Sequence, residues 1–302
     1  MPTANVCRVC DGQLELAHRG GSPAYESAAF NPSCHRVGEH GDLYRCRECG
    51  TVHQPSLPHG AELYDIYRAV SDQTYMLEER GRRRDARRLL DLLGVHVPHG
   101  RLLQVGCGYG LLLDEARRRG YDVEGVELSA EASRYARERL GLTVQEMAVE
   151  EMELKDKRYD ALVLVDVIEH LEDPVAVLDR LLTVLEPDGA LLIVTPDPAS
   201  LTARVAGSRW WCYIPAHCCL IPRTALRDLI AARGLEVVAD GFSVHSFTPG
   251  YWLAGLGERG GWAGRAIMAL AARLPRRVLL SASLRDERVV LARQNARVPM
   301  RR

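Results

Sequence analysis

The sequence carries little net charge, and it has no long apolar run and no export signal at its start. Its 302 residues have a formal charge of -1, which argues against a strongly basic surface for nucleic acid. No stretch of about 18 apolar residues is present, so we expect no transmembrane helix. The first residues also lack the charged start, apolar stretch and small-residue cleavage site of a signal peptide. These absences predict a cytoplasmic protein, with membrane contact at most peripheral.

Cysteine, by contrast, is abundant, and its spacing indicates a metal site. The nine cysteines are an odd number in a chain without an export signal, which disfavours a disulfide framework. Two C-x-x-C pairs, Cys7 with Cys10 and Cys46 with Cys49, would each place two thiolates on one side of a tight turn. Four thiolates with no open coordination position favour structural Zn²⁺. The alternative is a set of four buried reduced cysteines.

The first 75 residues or so are too polar and turn-rich to fold on a core of their own. Metal ligation, on the order of 10 kcal/mol or more for structural zinc, would have to hold this segment together. Cys34 and His35 lie between the two cysteine pairs and are candidate ligands of second rank. Farther along, Tyr64 and Tyr67 share one helical face, which we expect to dock on the following domain or to form a lid over its active site.

Residues 78–93 are predicted to form an amphipathic helix. Ala86, Leu89, Leu90 and Leu93 follow the i, i+3, i+4, i+7 pattern, and Gly94 supplies a stop. The arginines of this helix are expected on a solvated outer face, with nucleic-acid binding as the alternative.

A strand, a glycine-rich turn, a helix and a second strand are predicted for residues 101–129. Gly106, Gly108 and Gly110 stand in the turn, where glycine lets the backbone approach a ligand closely. Glu127 ends the second strand, and a carboxylate at such a strand end can accept both hydroxyl protons of a ribose. Together they predict an adenosine site, although glycines at a strand-to-helix turn can also serve the backbone alone.

The alternation of strands and helices beyond this unit predicts a doubly wound α/β sheet, whose ligands bind outside the carboxyl ends of the strands. Residues 159–165 form a continuous apolar run that is typical of a central parallel strand. A helix is expected to run to Leu185, and residues 190–194 form another buried strand after residues 186–189. The last two strands, at residues 235–239 and 287–292, are expected to form an antiparallel pair.

Five motifs together resemble the class I S-adenosyl-L-methionine-dependent methyltransferases. They are residues 105–110, 125–127, 166–170, 185–190 and 229–235, and the resemblance covers about residues 78–293. It implies a Rossmann-like, seven-stranded sheet. The leading zinc-ribbon-like segment, the paired tyrosines and residues 217–229 are similar to bacterial methyltransferases of sugar, polysaccharide and natural-product tailoring.

We therefore expect a zinc-binding segment with a docking helix at residues 1–75 and a methyltransferase domain at residues 76–302. Substrate-side insertions are expected at about residues 198–222 and 242–284. The second insertion contains an amphipathic stretch at residues 262–274, with arginines nearby. It is expected to cap the sheet on its substrate side; the alternative is contact with a membrane surface that holds a lipid-linked glycan.

By resemblance, the glycine turn passes under the amino acid part of the cofactor, Glu127 holds its ribose, and Asp166 lies beside its methionine end. The family usually has an acidic residue just before the turn, where this chain has Gln104, which accepts a hydrogen bond but brings no charge for the ammonium group. An adenine-binding Asp is replaced by Ala148, which leaves adenine to backbone contacts and to Met147. The expected cofactor-binding residues are Gln104, Gly106, Gly108, Gly110, Glu127, Leu128, Met147, Ala148 and Asp166.

Methyl transfer from a sulfonium is an in-line displacement, so the protein must align the acceptor and, where needed, take up its proton. His170, after the central strand, and His217, in an aromatic-rich connection, are the two candidate catalytic bases. The alternative for His170 is a hydrogen bond that only closes its turn. Asp166, Glu169 and His170 also admit a Mg²⁺ site of the kind found in related quinone-precursor O-methyltransferases.

The aromatic connection has two interpretations of equal weight. Trp210, Trp211 and Tyr213 either stack on a sugar ring or other ring system, or anchor a long loop in the core. Cys218 and Cys219 are expected to be packing residues.

The expected function is S-adenosyl-L-methionine-dependent methylation of a small-molecule or saccharide acceptor, with O-methylation favoured. A ribosomal RNA base methyltransferase with a zinc ribbon is an alternative, against which stand the neutral net charge and the missing Asn/Asp-Pro-Pro-Tyr-type motif. A quinol-type, metal-assisted O-methyltransferase is a second alternative. A non-catalytic scaffold that binds the cofactor is a third.

Overall fold

The computed structural model describes residues 6–33, 39–72, 74–257, 261–271, 273–274 and 277–294. Within these ranges the chain begins with a small antiparallel sheet of β1 (Leu14–His18), β2 (Leu43–Cys46) and β3 (Val52–His53). Helix α1 (Ala61–Arg68), which carries the two tyrosines of the predicted shared face, and helix α2 (Glu79–Gly94) follow. Cys34 and His35, the substitute zinc ligands, lie outside the described residues.

Strands and helices then alternate. The elements are β4 (Gly100–Val105), α3 (Leu111–Arg118), β5 (Tyr121–Glu127), α4 (Ala130–Leu140), β6 (Thr143–Glu146), β7 (Tyr159–Val165), α5 (Pro174–Leu182) and β8 (Leu185–Pro196). The remaining elements are α6 (Leu201–Ala206), β9 (Cys219–Leu220), α7 (Arg223–Ala231), β10 (Leu235–Phe242), β11 (His245–Phe247), α8 (Pro249–Gly257), α9 (Gly261–Ala271), β12 (Leu280–Ala282) and β13 (Glu287–Gln294).

The main sheet has seven strands in the order β10-β13-β8-β7-β4-β5-β6. Strand β13 is antiparallel to both of its neighbours, and the other neighbouring strands are parallel. The predicted Rossmann-like, doubly wound sheet is therefore confirmed, and so is its antiparallel final pair.

The continuous apolar runs in the sequence are explained by burial on both faces of this sheet. Leu162, Val163 and Leu164 of β7 and Leu191 and Leu192 of β8 are at most 1% exposed. Helices cover both faces, as parallel strands require. The apolar side of α2 packs on one face of the sheet.

One boundary differs from the sequence prediction. The helix expected to run to Leu185 ends at Leu182, and residues 185–189 instead belong to β8, which runs for twelve residues. Leu185 pairs with Tyr159 and Ala190 pairs with Ala161, so the intervening residues form an irregularity within the strand. The buried side chain of Leu185 anchors the strand start in the core before this irregularity.

Side-chain caps start helices α4 and α5. The Ser129 hydroxyl accepts a hydrogen bond from the Ala132 N–H of α4, and Asp173 accepts one from the Ala176 N–H of α5. Pro174 then occupies the first turn of α5, where its fixed φ suits the helix. These caps fix the turns at the carboxyl edge of the sheet.

The N-terminal sheet is continuous with the first predicted insertion. Val52 and His53 of β3 pair with Leu220 and Cys219 of β9. A separate apolar cluster forms around this junction from Leu43, Val52, Ala203, Trp210, Tyr213 and Leu220. The N-terminal segment is thus packed on the loop that precedes β9.

The second insertion lies against α2. Strands β11 and β12 pair, and the Ser246 N–H of β11 donates to Asp85 at 2.7 Å. A Cβ atom on Gly81 would lie 1.7 Å from the Ser246 carbonyl oxygen, so only glycine permits this approach. Of the amphipathic stretch, the side chains of Trp262, Arg265 and Arg276 lie outside the described residues.

In the ranges that the structure describes, no helix is both long and apolar enough to cross a lipid bilayer.

Candidate active site

A cavity of about 480 Å³ lies at the carboxyl edge of the main sheet. The ends of β4, β5, β6, β7 and β8 contribute to its walls, as the doubly wound topology predicts. Helix α1, the segment before α2 and strand β11 enclose it from the other side. Tyr64 and Tyr67 of α1 both face this space, which is the position expected of a lid.

The glycine turn forms one wall of the cavity. Gly106 and Gly108 have φ angles of 62° and 53°, in the left-handed region that favours glycine. A Cβ atom on Gly106 would meet Val167 at 2.5 Å, whereas one on Gly108 would have only the Tyr75 hydroxyl within 4 Å, at 3.9 Å. The space above Gly108 is therefore open for a ligand to approach the backbone.

Gly110, which the resemblance places beside the cofactor, lies outside the cavity wall. Its φ angle of 78° makes the left-handed turn into α3. A Cβ atom there would meet Leu142 at 2.7 Å and Ala136 at 3.0 Å. The position thus needs glycine for its turn and for packing between helices.

Two polar side chains flank the glycine turn. Gln104 is 4% exposed and its Oε1 atom has no hydrogen-bond partner among the described residues, although the residue lines the cavity. The carboxylate of Glu127 accepts hydrogen bonds from the N–H groups of Gly108 and Ser129, both at 2.7 Å. Burial raises the pKa of Glu127, and these backbone donors oppose the rise. Leu128, Met147 and Ala148 line the adjacent wall.

Asp166 joins a chain of titratable groups that the sequence did not reveal. It follows β7 with a φ angle of 53° and faces the cavity. It lies near Glu287 of β13, which forms a 2.9 Å ion pair with His245 of β11. The surrounding protein and the nearby Glu287 raise the pKa of Asp166 well above its usual range. Burial opposes the charge of Glu287, but His245 outweighs it and lowers the Glu287 pKa.

The two predicted bases lie side by side on the cavity wall. The rings of His170 and His217 are 4.6 Å apart between centroids and nearly perpendicular. Burial lowers the pKa of His170 to about 4, and burial together with His170 lowers the pKa of His217. Because His217 Nδ1 lies 2.8 Å from the Cys212 carbonyl oxygen, this nitrogen must donate, and Nε2 is left to accept a proton.

Tyr67 is a hydrogen-bond partner of His170, although 103 residues separate the two in the chain. Its hydroxyl lies 2.7 Å from His170 Nδ1 and donates to the Ala216 carbonyl oxygen at 3.3 Å. Burial keeps the phenol protonated because it raises the Tyr67 pKa well above its usual value. Helix α1 therefore orients the first of the two histidines.

Glu169 completes a cluster that could hold a metal ion. One ligand atom from each of Glu169, His170 and His217 lies within 4.8 Å of the others. Glu169 is fully buried; its Oε2 accepts from the Thr195 hydroxyl at 2.9 Å, and its Oε1 has no partner among the described residues. Burial raises the Glu169 pKa to about 8. Asp166, the third ligand of the predicted Mg²⁺ site, is replaced in this cluster by His217.

Gln54 holds the loop that carries His217 through hydrogen bonds to its backbone. Its Nε2 atom lies 3.1 Å from the Ile214 carbonyl oxygen, 3.4 Å from that of Pro215 and 3.2 Å from that of His217. Its Oε1 accepts from the Gly41 N–H at 2.5 Å, and the side chain is 2% exposed. The N-terminal segment therefore contributes directly to the position of this loop.

The aromatic loop residues are anchors rather than a stacking surface. Trp210 is fully buried, and its indole N–H donates to Asp286 at 3.0 Å. Tyr213 is 2% exposed in the same cluster, and neither residue lines the cavity. Trp211 points away from the core and is 36% exposed. Cys218 and Cys219 are buried, as packing residues should be.

The four predicted zinc ligands meet in one cluster. Cys7 Sγ lies 3.6 Å from Cys49 Sγ, and Cys10 Sγ lies 3.4 Å from Cys46 Sγ. A tetrahedral site with zinc–sulfur bonds of about 2.3 Å requires sulfur atoms about 3.8 Å apart, so the set fits Zn²⁺ closely. Burial raises the Cys46 thiol pKa to about 11, so a cation would be needed to keep all four sulfurs ionised.

Several site residues were not found from the sequence. Glu287 and His245 come from distant strands, and Gln54 from the N-terminal segment, so no local spacing joins them to the motifs. A polar residue at the start of an apolar strand was the one available signal for Glu287.

Comparison with known proteins assigns a family to this arrangement. Residues 76–240 match the family model described as a methyltransferase domain. A ubiquinone biosynthesis O-methyltransferase of Cereibacter sphaeroides is 32% identical over 171 residues, which cover 53% of this chain and 68% of that protein. One of the same description from Xanthomonas campestris pv. campestris is 32% identical over 124 residues, 38% of this chain and 52% of that protein. The chain thus spans between about half and two thirds of these relatives.

A solved structure shares the fold. The N-methyltransferase NodS of Bradyrhizobium japonicum WM9, in complex with S-adenosyl-L-homocysteine, superposes with a TM-score of 0.50 at 14% identity. The match covers 77% of this chain and 97% of that one.

Proposed function

The chain belongs to the S-adenosyl-L-methionine-dependent methyltransferases, and from that premise we propose that it methylates a phenolic hydroxyl of a small molecule. The observation that carries the proposal is the pair of neutral histidines, His170 and His217, on the wall of the cavity. The cofactor supplies an electrophilic methyl group, and the protein's task is to align the acceptor and take up its proton.

The residues around the glycine turn suit the cofactor. The unpartnered Oε1 of Gln104 is a buried acceptor for the ammonium group, and the open space at Gly108 permits close approach. Glu127, at the end of β5, would exchange its backbone donors for the ribose hydroxyls. We propose that Leu128, Met147 and Ala148 contact the adenine of the cofactor. We propose that Asp166 lies beside its methionine end, as expected from the sequence.

The strength of a histidine base favours a phenol over a saccharide. A phenol has a pKa near 10 and an alkyl hydroxyl one roughly that of water at 15.7. Whatever the pKa of the accepting histidine, proton transfer from the phenol costs about 8 kcal/mol less. The loop aromatics Trp210 and Tyr213, which the sequence offered for stacking on a saccharide ring, are buried outside the cavity wall.

Two relatives are described as ubiquinone biosynthesis O-methyltransferases, which supports O-methylation. Sugar or natural-product tailoring, and the cytoplasmic location, stay predictions from the sequence.

A metal-assisted form of the same reaction is the second candidate. The cluster of Glu169, His170 and His217 offers a carboxylate and two imidazoles, and the unpartnered Glu169 Oε1 is a free ligand atom. A divalent cation held there would lower the acceptor's pKa. Activity that is lost with a chelator and restored by one divalent ion would favour this candidate over the histidine base.

We also propose structural Zn²⁺ at Cys7, Cys10, Cys46 and Cys49. The sulfur separations and the need for a cation to ionise all four thiols support it. Metal analysis of purified protein should find about one zinc per chain.

The acceptor proposal is tested with labelled cofactor and two matched panels: catechols, including 3,4-dihydroxybenzoate, and sugars with only alkyl hydroxyls. We expect transfer to a catechol, and a loss of about 100-fold or more in kcat for His217→Gln. His99→Gln, at an exposed position, is the control. Transfer to the sugars alone would overturn the proposal of a phenolic acceptor. Full activity in both His217→Gln and His170→Gln would overturn the assignment of a histidine as the base.

A further inference from the structure

The second insertion is basic, although the chain as a whole is not. Residues 242–284 contain five arginines and one acidic residue, whereas the whole chain has a formal charge of -1. Two of these arginines, Arg273 and Arg277, are exposed. Neither has a carboxylate within ion-pair distance among the residues that the structure describes. The insertion therefore presents positive charge to solvent.

Large apolar side chains are exposed in the same segment, residues 268–280. Leu270 of α9 is 55% exposed and Leu280 of β12 is 48% exposed. Val278 and Met268 are exposed by 47% and 41%. A single exposed apolar residue is ordinary on a protein surface, but a group of them beside cations is typical of an interaction site.

Contacts with α2 and α8 fix the position of this segment. The Arg80 guanidinium of α2 donates to the Arg277 carbonyl oxygen at 3.4 Å. The indole N–H of Trp252, in α8, donates to the Leu280 carbonyl oxygen at 3.2 Å. The exposed side chains therefore belong to a surface that is held between two helices.

The apolar residues of α9 and β12 meet at the start of α8. A Cβ atom on Gly250 would lie 2.8 Å from the Ala271 carbonyl oxygen, so glycine permits a close approach of α8 and α9 there. Leu270 adjoins Ala271 in the chain, and the Leu280 carbonyl is bonded to Trp252 in the first turn of α8. Leu270 and Leu280 therefore both lie next to this turn.

An anionic lipid bilayer fits this combination of side chains. Arginines gain from its negative surface, and apolar side chains gain from its acyl region. Nucleic acid would pair with the arginines, but proteins stack its bases on aromatic rings, and the exposed side chains here are leucine, valine and methionine. In a twofold contact with a second copy, the same surface faces itself and brings like charges together.

We propose that residues 268–280 dock the protein peripherally on an anionic lipid bilayer. The exposed apolar side chains would enter the boundary between headgroups and acyl chains, and Arg273 and Arg277 would pair with lipid phosphates. The inference goes beyond the proposed function and does not depend on it.

The docking surface adjoins the cavity. Strand β12 of the docking surface pairs with β11, whose His245 and Phe247 line the cavity. Docking would therefore bring the cavity wall within one strand pair of the lipid, where an acceptor dissolved in the bilayer can reach it.

Vesicle cosedimentation of the full chain, without cofactor, tests the proposal. Partition is measured onto vesicles of equal parts dioleoylphosphatidylglycerol and dioleoylphosphatidylcholine, and onto vesicles of dioleoylphosphatidylcholine alone. Two double variants change the docking surface: Arg273→Gln with Arg277→Gln, and Leu270→Gln with Leu280→Thr. Two matched controls change exposed residues elsewhere: Arg134→Gln with Arg139→Gln on α4, and Leu201→Gln with Val205→Thr on α6. Thermal unfolding followed by circular dichroism checks that each variant is folded.

We expect the wild type to bind the anionic vesicles more tightly than the neutral ones, and less tightly as salt screens the charges. The double arginine variant should bind about 25-fold more weakly, because each cation near an anionic surface contributes about fivefold. The double leucine variant should bind about tenfold more weakly or worse, because two apolar side chains no longer enter the lipid. Both controls should bind as the wild type does.

The proposal is overturned if the anionic vesicles do not bind the wild type, or bind both docking variants equally well. Weaker binding in the arginine variant alone also overturns it, since adsorption by charge does not need the apolar side chains. The alternative partners are tested in parallel by sedimentation velocity without vesicles and by filter binding of polyuridylate. A dimer that the leucine variant abolishes, or RNA binding in place of vesicle binding, would assign the surface to that partner instead.

Discussion

Replacing Gln54 should separate the position of the His217 loop from the binding of the cofactor. Gln54→Leu removes the hydrogen bond from Gly41 and the two that the Nε2 hydrogens can donate at one time to the loop carbonyls. Each buried hydrogen bond contributes about 1 kcal/mol net, so we expect the free energy of unfolding to fall by about 3 kcal/mol. Urea unfolding followed by circular dichroism measures this difference.

The effect on catalysis should be specific to turnover. Gln54 is not part of the cavity wall, so the Kd of S-adenosyl-L-homocysteine should stay as in the wild type while kcat falls. Backbone amides of residues 212–218 should exchange faster with deuterium, because the loop loses its anchor. Gln13→Leu, at an exposed position in the same N-terminal segment, is the matched control.

A change in unfolding free energy below about 0.5 kcal/mol, which is the range of ordinary surface substitutions, would show that Gln54 does not anchor the loop. A loss of kcat accompanied by an equal loss of cofactor affinity would contradict an effect confined to turnover, because it would indicate general unfolding of the site.

Three further predictions concern other parts of the molecule. Gly106→Ala should weaken S-adenosyl-L-homocysteine binding in calorimetry, because the new Cβ would lie 2.5 Å from Val167 at a φ of 62°; unchanged affinity would contradict this geometry. Cys49→Ser should lower both the zinc content and the melting temperature, and a full equivalent of zinc in the variant would exclude Cys49 as a ligand. His245→Asn should reduce the unfolding free energy most between about pH 4.5 and 6.5. The stabilisation by the ion pair is lost as pH rises through the raised pKa of His245 and as pH falls through the lowered pKa of Glu287, so a loss that is equal at every pH would contradict it.

Local patterns in the sequence were sufficient to predict the sheet and the glycine turn. The runs that contain Leu162 and Leu191 are apolar because both faces of their strands are covered, and this property depends on neighbours in the chain. The cysteine pairs were recognisable for a similar reason, since two short spacings specify two turns. Gly110 shows the opposite case, because its packing against α4 and Leu142 accounts for a glycine at this position on its own.

The contacts that complete the site join residues far apart in the chain. Tyr67 reaches His170 across a separation of 103 residues, and Gln54 reaches the His217 carbonyl across 163. No periodicity links such positions, and their partners are backbone carbonyls or rings whose placement depends on the whole fold. The same holds for Glu287, which meets Asp166 only because β13 inserts between β10 and β8.

We propose that the cavity binds S-adenosyl-L-methionine with Glu127 at the ribose. Calorimetric titration of the wild type and of Glu127→Ala with S-adenosyl-L-homocysteine is the decisive measurement. We expect binding of about one molecule per chain in the wild type and affinity lower by about tenfold or more in the variant, because a charged acceptor of two hydroxyl hydrogen bonds is lost. Absence of heat and of any thermal shift in the wild type would exclude the cofactor from the cavity, and equal affinity in the two proteins would exclude Glu127 from the ribose.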